Sequence, residues 1–265
     1  MAACIDIGGA ALRLLPQRAA YFEAERTLLV ADVHLGKAQS FRRLGVPVPE
    51  GTTAGTLARL TQALAATGAT HLVVLGDLLH AALAARPRRR GREGEGACDA
   101  GKGAARNVGG ATGGEIGGVI GGEIGGEAVR GAVAAWRQAH AALRITLVRG
   151  NHDARAGEPP PDWGVEVVDE PWPLGPLALR HEPRADDQGR RYVLAGHLHP
   201  AVNLAGRGPG HLRLPCFHFG AAVGVLPAFG EFTGSAGVRA APGERIFAIA
   251  GDEVREVAGR APPPA

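Results

Sequence analysis

The chain is short of several residues that whole classes of protein depend on. It has only three cysteines, Cys4, Cys98 and Cys216, in 265 residues, and no CxxC pair. That excludes a disulfide framework and a thiolate zinc site. Aromatic residues are 5% of the chain, too few for the stacking groove of a single-strand-binding protein. Trp136, Trp163 and Trp172 are accordingly assigned to packing. No apolar run approaches the ~18 residues of a membrane span. Residues 1–10 have no basic stretch leading into an apolar one, so no membrane partner is expected and the expected location is cytoplasmic.

A charge imbalance is also missing from most of the chain. The pI is about 9.0, but residues 86–106 hold seven Lys/Arg against three Asp/Glu, more than the whole chain's net +3. The basic balance therefore lies in one segment and says little about the remainder.

Glycine is plentiful, and it is concentrated. Residues 91–126 contain fifteen glycines, many in a Gly-Gly-Glu-Ile near-repeat. Backbone entropy opposes helix and strand there, and the apolar content is too thin to compensate. Residues 87–127 are read as a flexible insertion and residues 258–265 as a disordered tail, on a single domain spanning 1–265.

Either side of the insertion the pattern alternates. Leu28–Ala31, Leu72–Leu75 and Ile145–Val148 are short buried-type strands. Leu57, Leu60 and Leu64 predict a helix over 53–67 that stops at Gly68, and 128–142 predicts another. This is a βαβαβ arrangement. Beyond Asn151, short strand-like runs beginning with Val165–Val168 predict a second, mostly β layer with no convincing helix.

The strand ends carry the chemistry. Thr27–Ala31 is followed by Asp32-Val-His34, and His71–Leu75 by Gly76-Asp77-Leu-Leu-His80. Arg144–Val148 leads to Gly150-Asn-His-Asp153, Leu177–Arg180 to His181, and Tyr192–Ala195 to Gly196-His-Leu-His199. Ligands of open α/β sheets collect beyond the carboxyl ends of strands. Taken singly, Asp77 could be a helix N-cap, Gly-Asn-His-Asp an Asx turn, and the paired histidines ordinary surface residues. Jointly, carboxylate, imidazole and amide without thiolate suit Mn²⁺, Fe²⁺ or Zn²⁺. Seven candidates (Asp32, His34, Asp77, Asn151, His181, His197 and His199) are too many for one tetrahedral ion and suit two.

This set resembles the calcineurin-like metallophosphoesterases, whose pattern is Asp-x-His, Gly-Asp, Gly-Asn-His-Asp/Glu, a single His and Gly-His-x-His. The resemblance spans roughly residues 27–200. It implies a four-layer α/β/β/α sandwich with two mixed β-sheets. It also implies that Asp32, His34 and His199 hold one ion, that Asn151, His181 and His197 hold the other, and that Asp77 bridges them. His152 would be the catalytic histidine, stabilising phosphoryl oxygens or protonating the leaving group. Asp153 would orient it.

A narrower resemblance is to the ligase-associated DNA-damage-response phosphoesterases of the PdeM type. It is carried by Asp32-Val-His-Leu-Gly-Lys-Ala38, Gly45-Val-Pro-Val-Pro49, Val148-Arg-Gly-Asn-His-Asp153 and Val168-Asp-Glu-Pro-Trp172. It continues through Leu179-Arg-His-Glu-Pro183, Leu194–Pro200, Leu214-Pro-Cys-Phe217 and Leu226-Pro-Ala-Phe-Gly230. That resemblance implies a manganese-dependent DNA endonuclease associated with a ligase, a helicase and an exonuclease. Hydrolysis of a small nucleotide or another phosphoester would need the same residues, and stays open. A catalytically silent scaffold does not fit, since every motif is filled. Lys37, Arg42 and Arg43 come directly after the first motif and could hold flanking phosphates or line a solvated helix face. His80 could touch substrate or merely turn the chain.

Overall fold

A computed structural model describes residues 1–49, 51–80, 123–186, 188–205 and 211–258. The expected insertion therefore lies outside the described residues as far as residue 122, and the expected tail from residue 259 onward.

The first sheet opens with a meander that the motif pattern gives no hint of: β1 (Ala3–Ile7), β2 (Ala10–Leu15) and β3 (Ala19–Phe22). It runs antiparallel into β4 (Thr27–Ala31), and β4 then pairs in parallel with β5 (His71–Leu75). The parallel run continues through β6 (Arg144–Val148) to β7 (Val165–Val168). Val165–Val168 thus completes the first sheet rather than joining the second layer. Parallel pairing needs a crossover of about a dozen residues, and the stretch from Arg149 to Gly164 supplies it.

β4 and β5 are buried along their whole length, and apolar beyond Thr27 and His71, because both faces of the sheet are covered. Their side chains alternate between two cores. Leu29, Ala31, Val73 and Leu75 face the second sheet, together with Val148. Leu28, Val30, Leu72 and Val74 face helices, together with Ile145 and Leu147. The short helix α1 (Lys37–Arg43) comes after the first motif, and α2 (Thr52–Thr67) buries Leu57, Leu60 and Leu64 on that helical side. Each such leucine contributes about 2 kcal/mol by area removed from water. α2 ends where expected: Gly68 takes φ 64°, and its N–H donates to the Leu64 carbonyl. α3 (Glu123–Ala139) begins five residues earlier than the pattern predicts, inside the stretch assigned to the insertion. It buries Val129 and Val133, with Trp136 partly covered against the same core.

After the single-turn-and-a-half α4 (Asn151–Ala156), the chain builds the second sheet. Its strands are β8 (Trp172–Leu174), β9 (Leu177–Leu179), β10 (Tyr192–Ala195), β11 (Pro200–Ala205) and β12 (His211–Phe219). They are completed by β13 (Val223–Val225), β14 (Ala236–Gly237), β15 (Arg245–Ala250) and β16 (Glu253–Ala258). The order is β14-β11-β12-β13-β10-β9-β8, with β15 and β16 attached through β12, and parallel and antiparallel pairs both occur. Phe217, Phe219 and Phe247 meet the first sheet in the shared core. The chain is thus a mixed α/β protein with two mixed sheets and few helices. The outer clusters of the second sheet, around Val193 and Cys216, contain no helical residue among the described ones. No described helix is long and apolar enough to cross a membrane.

Candidate metal centre

Register aligns the strand ends. Ala31 lies opposite Leu75, and Leu75 opposite Val148, so Asp32, Asp77 and Asn151 leave the first sheet from one edge. In the second sheet Leu179 lies opposite Leu194, so His181 and the Gly196–His199 turn leave together as well. The two edges meet, and all seven expected ligands converge.

Asp32, His34 and His199 form one group whose ligand atoms lie within 4.8 Å of one another, and Asp32, Asp77 and His181 form a second. His199 Nε2 is 3.4 Å from Asp32 Oδ1 and 3.4 Å from His34 Nε2. His181 Nε2 lies 3.6 Å from Asp77 Oδ1, 2.8 Å from Asn151 Oδ1 and 3.0 Å from His197 Nδ1. The first group consists of the same three residues that the resemblance assigns to one ion, whereas the second shares only His181 and Asp77 with the residues expected around the other. Asp32 is common to both groups, and Asp77 Oδ2 reaches to 3.8 Å from His34 Nε2, so both carboxylates lie between the two halves.

The local chemistry suits divalent cations. Asp32 is fully buried, and its Oδ1 accepts no hydrogen bond, with the His199 and His181 ring nitrogens 3.4 and 3.9 Å away; His34 Nδ1 has no hydrogen-bond partner either. A buried carboxylate oxygen without a hydrogen bond is costly unless a cation compensates it. Burial, reinforced by Lys37 and the neighbouring imidazoles, pushes His34 down to about 2, so it is a neutral imidazole, the form that binds metal. Burial also pulls on His199, but the Asp32 carboxylate and the Gly234 carbonyl outweigh it and raise that ring above its usual value. Its Nδ1 lies 3.0 Å from the Gly234 carbonyl, which leaves Nε2 toward the cluster.

The backbone is strained in the same place. Of the eight non-glycine residues with positive φ among the described ones, five are Asp32, His34, Asp77, His197 and His199. Such conformations persist only where the surroundings over-determine them, and they gather at functional sites.

Three glycines in the motifs are there for space, a role the sequence pattern displays without explaining. A β-carbon on Gly76 would sit 2.1 Å from His181 Nδ1, one on Gly150 2.4 Å from Asp77 Oδ1, and one on Gly196 2.7 Å from Asp32 Oδ2. Each glycine thus vacates the volume that a candidate ligand from another strand end occupies.

His152 is half-buried, its ring 5.2 Å from that of His34 and stacked at 5.2 Å on His80. Asp153 is buried and spends both oxygens on backbone: Oδ1 accepts from the Leu79 N–H and Oδ2 from the Gly150 N–H, each at 3.0 Å. It ties the second motif to the third, and burial raises its pKa despite those bonds. Lys37, half-buried, is close enough for Asp32 and Asp77 to act on its charge, although burial dominates and lowers its pKa. His80 is pushed down to about 4 by burial, with Lys37 and His152 adding to it. Arg42 instead donates to the Pro49 carbonyl at 3.4 Å and takes no part in these contacts.

Two supports lie in motifs that the sequence displays without showing what they hold. Glu170 Oε2 accepts the His181 N–H at 2.7 Å and the Glu182 N–H at 3.2 Å, fixing the turn that carries His181. The loop after β13 is clamped to the first motif: the Phe229 N–H donates to the Ala31 carbonyl and the Gly230 N–H to that of Asp32. Arg18 donates to the Ala228 and Gly230 carbonyls, while Arg59 donates to the Phe229 carbonyl and pairs with Glu231. The Leu226-Pro-Ala-Phe-Gly230 motif is visible in the sequence, but its arginine partners lie far away along the chain.

The fold and site together define a mixed α/β protein with a candidate Asp/His metal centre where the strand ends of two sheets meet. No protein-family model matches the chain, and no curated protein does. Among solved structures, the crystal structure of the Pseudomonas putida nuclease MPE is similar, at 37% sequence identity and a TM-score of 0.71. The match covers 97% of this chain and 100% of that one. The chain belongs to the family of that nuclease.

Proposed function

We propose that the protein is a divalent-metal-dependent phosphodiesterase that cuts DNA internally, through a centre holding two ions. The observation that carries this reading is the convergence of strand-end candidate ligands around a buried Asp32 oxygen that accepts no hydrogen bond, in a chain 37% identical to a nuclease. The wider reading is a single calcineurin-like metallophosphoesterase domain of the four-layer type, interrupted by the glycine-rich insertion. It includes a cytoplasmic location and work alongside a DNA ligase, a helicase and an exonuclease.

Asp32, His34 and His199 would hold one ion, Asn151, His181 and His197 the other, with Asp77 between them. Mn²⁺ is the favoured occupant, and Fe²⁺ and Zn²⁺ suit the same ligands. When bound, such a pair supplies Lewis acidity toward the phosphoryl oxygens and lowers the pKa of water. The protein's own part is positional and protic. The His152 ring, half-exposed beside His34, stabilises a phosphoryl oxygen or protonates the departing one. Asp153 keeps His152 in place through the Gly150 and Leu79 backbone, and Lys37 adds positive charge on the approach.

The test is cleavage of plasmid, single-stranded DNA and a nucleotide panel by purified protein with Mn²⁺, Fe²⁺, Zn²⁺ or chelator. The expected result is metal-dependent DNA cleavage that is lost in His152→Ala. Turnover of small esters alone would overturn the DNA reading, and full activity of His152→Ala would overturn its catalytic role.

A further inference from the structure

Phe232 is an unusual residue in an unusual place. It is 43% exposed and holds φ 58°, the left-handed region in which a bulky side chain is strained. The loop that carries it is not free to relax. Arg18 and Arg59 hold it on one side through the Ala228, Phe229 and Gly230 carbonyls. Arg213 holds it on the other, through the hydroxyl and carbonyl of Ser235 at 2.9 and 2.7 Å. A braced loop presenting a strained aromatic face to solvent is poorly explained by packing alone.

Its surroundings connect it to the centre. The Phe232 ring meets Phe41 edge-on at 5.5 Å, Phe41 lies stacked 6.4 Å from His80, and His80 stacks on His152 at 5.2 Å. Phe41 belongs to α1, four residues after Lys37, so the two share one helix face. Lys37 feels the Asp32 and Asp77 carboxylates. One helix face thus sets a cation beside the centre and an aromatic ring one turn further out. A nucleotide has the same arrangement, a phosphate with an aromatic base a short distance to one side.

We propose that Phe232, buttressed by Phe41, is the surface on which a nucleobase next to the scissile phosphate stacks. This rests on the phosphodiesterase reading above and adds to it the residue that engages the base. Base–aromatic stacking is sequence-tolerant, because every base has a π-face. The platform therefore serves positioning rather than sequence choice.

The experiment compares steady-state cleavage of an intact oligonucleotide with one bearing abasic sites on both sides of the cleaved bond. Wild type, Phe232→Ala, Phe232→Leu and Phe232→Trp are measured with Mn²⁺. On the intact strand KM is expected to rise about tenfold in Phe232→Ala and Phe232→Leu, to stay near wild type in Phe232→Trp, and kcat to change little. On the abasic strand the four proteins should differ by less than about twofold, because the stacking partner is gone. Equal losses on both strands, or full rescue by Phe232→Leu, would overturn the proposal in favour of packing against Phe41. Unchanged KM in Phe232→Ala would overturn it outright. If wild type cleaves neither strand with any metal, the phosphodiesterase reading has failed first.

Discussion

Oδ1 of Asp77 accepts a hydrogen bond from the backbone N–H of His152 at 2.9 Å. One carboxylate thus belongs to the candidate metal cluster and also anchors the turn that carries the candidate catalytic histidine. The two roles can be separated. Asp77→Asn keeps an acceptor and should unfold at close to the wild-type temperature while losing metal-dependent cleavage. Asp77→Ala should lose the cleavage and, by freeing a partly buried N–H, about 1 kcal/mol of stability. Chemical denaturation and the nuclease assay read the two effects independently. Full activity in either variant would remove Asp77 from the mechanism.

The glycine spacing makes a steric prediction. Gly150 has ordinary φ, so Gly150→Ala strains no backbone, but the new methyl would meet Asp77 Oδ1 at 2.4 Å and Asp77 N at 2.5 Å. The expected outcome is a loss of about 1–3 kcal/mol, together with weakened Mn²⁺ binding by calorimetry. Unchanged metal affinity would show that the centre tolerates movement of Asp77.

Asp153→Asn tests the tie between motifs. The amide can accept from only one of the Leu79 and Gly150 N–H groups, so the Gly150 turn should loosen. Metal affinity or activity should fall about 10–100-fold, as for other residues that orient ligands. Loss of all folding, seen by circular dichroism, would place Asp153 in the core framework instead.

The metal-free protein should lose stability in mild acid. An unfolded histidine takes up its proton near pH 6.5. In the fold, burial holds His34 down to about 2 and His80 down to about 4, and it lowers His71 as well. Their contribution to stability is present above pH 6.5 and is lost as the pH falls below it toward the folded values. His199 has the opposite sign: its raised pKa contributes below pH 6.5, and that contribution is lost as the pH rises through its folded value. Asp153, whose pKa burial raises, has the sign of His199. The three lowered histidines, two of them far below their usual value, outweigh these two raised groups, so the urea midpoint in chelator should be lower at pH 5 than at pH 7. Equal midpoints would contradict this.

Metal should also stabilise. Mn²⁺ at a hundred times its Kd adds about 2.7 kcal/mol if it binds only the folded chain. For a chain of this size that raises Tm by roughly 5–10 °C. A thermal scan with and without Mn²⁺ checks it, and no shift would argue against a site formed by the fold.

The parts of the molecule legible in the sequence are those written in local pattern. β4, β5 and β6 are short apolar runs, α2 has its leucines at helical spacing and stops on Gly68, and each expected ligand comes after a strand. The meander β1–β3 has no chemistry-bearing motif to mark it, and membership of β7 in the first sheet depends on a crossover rather than on its own residues. The pairings that support the site are hidden for a related reason. Glu170 reaches His181 across eleven residues, whereas Arg18 reaches Gly230 across 212. Contacts at such separation leave no periodic trace in a single sequence. The strain at Asp32 and His199 is likewise invisible, because it is imposed by the packed sheets and not chosen by those residues.

The alignment of Ala31, Leu75 and Val148 has a consequence for ancestry. Ladder pairing, not the length of chain between motifs, decides where the functional groups emerge. A connection between β5 and β6 can gain or shed dozens of residues while the centre stays put. Kinship among such proteins is better sought in the residues that cap each strand than in the distances separating the motifs.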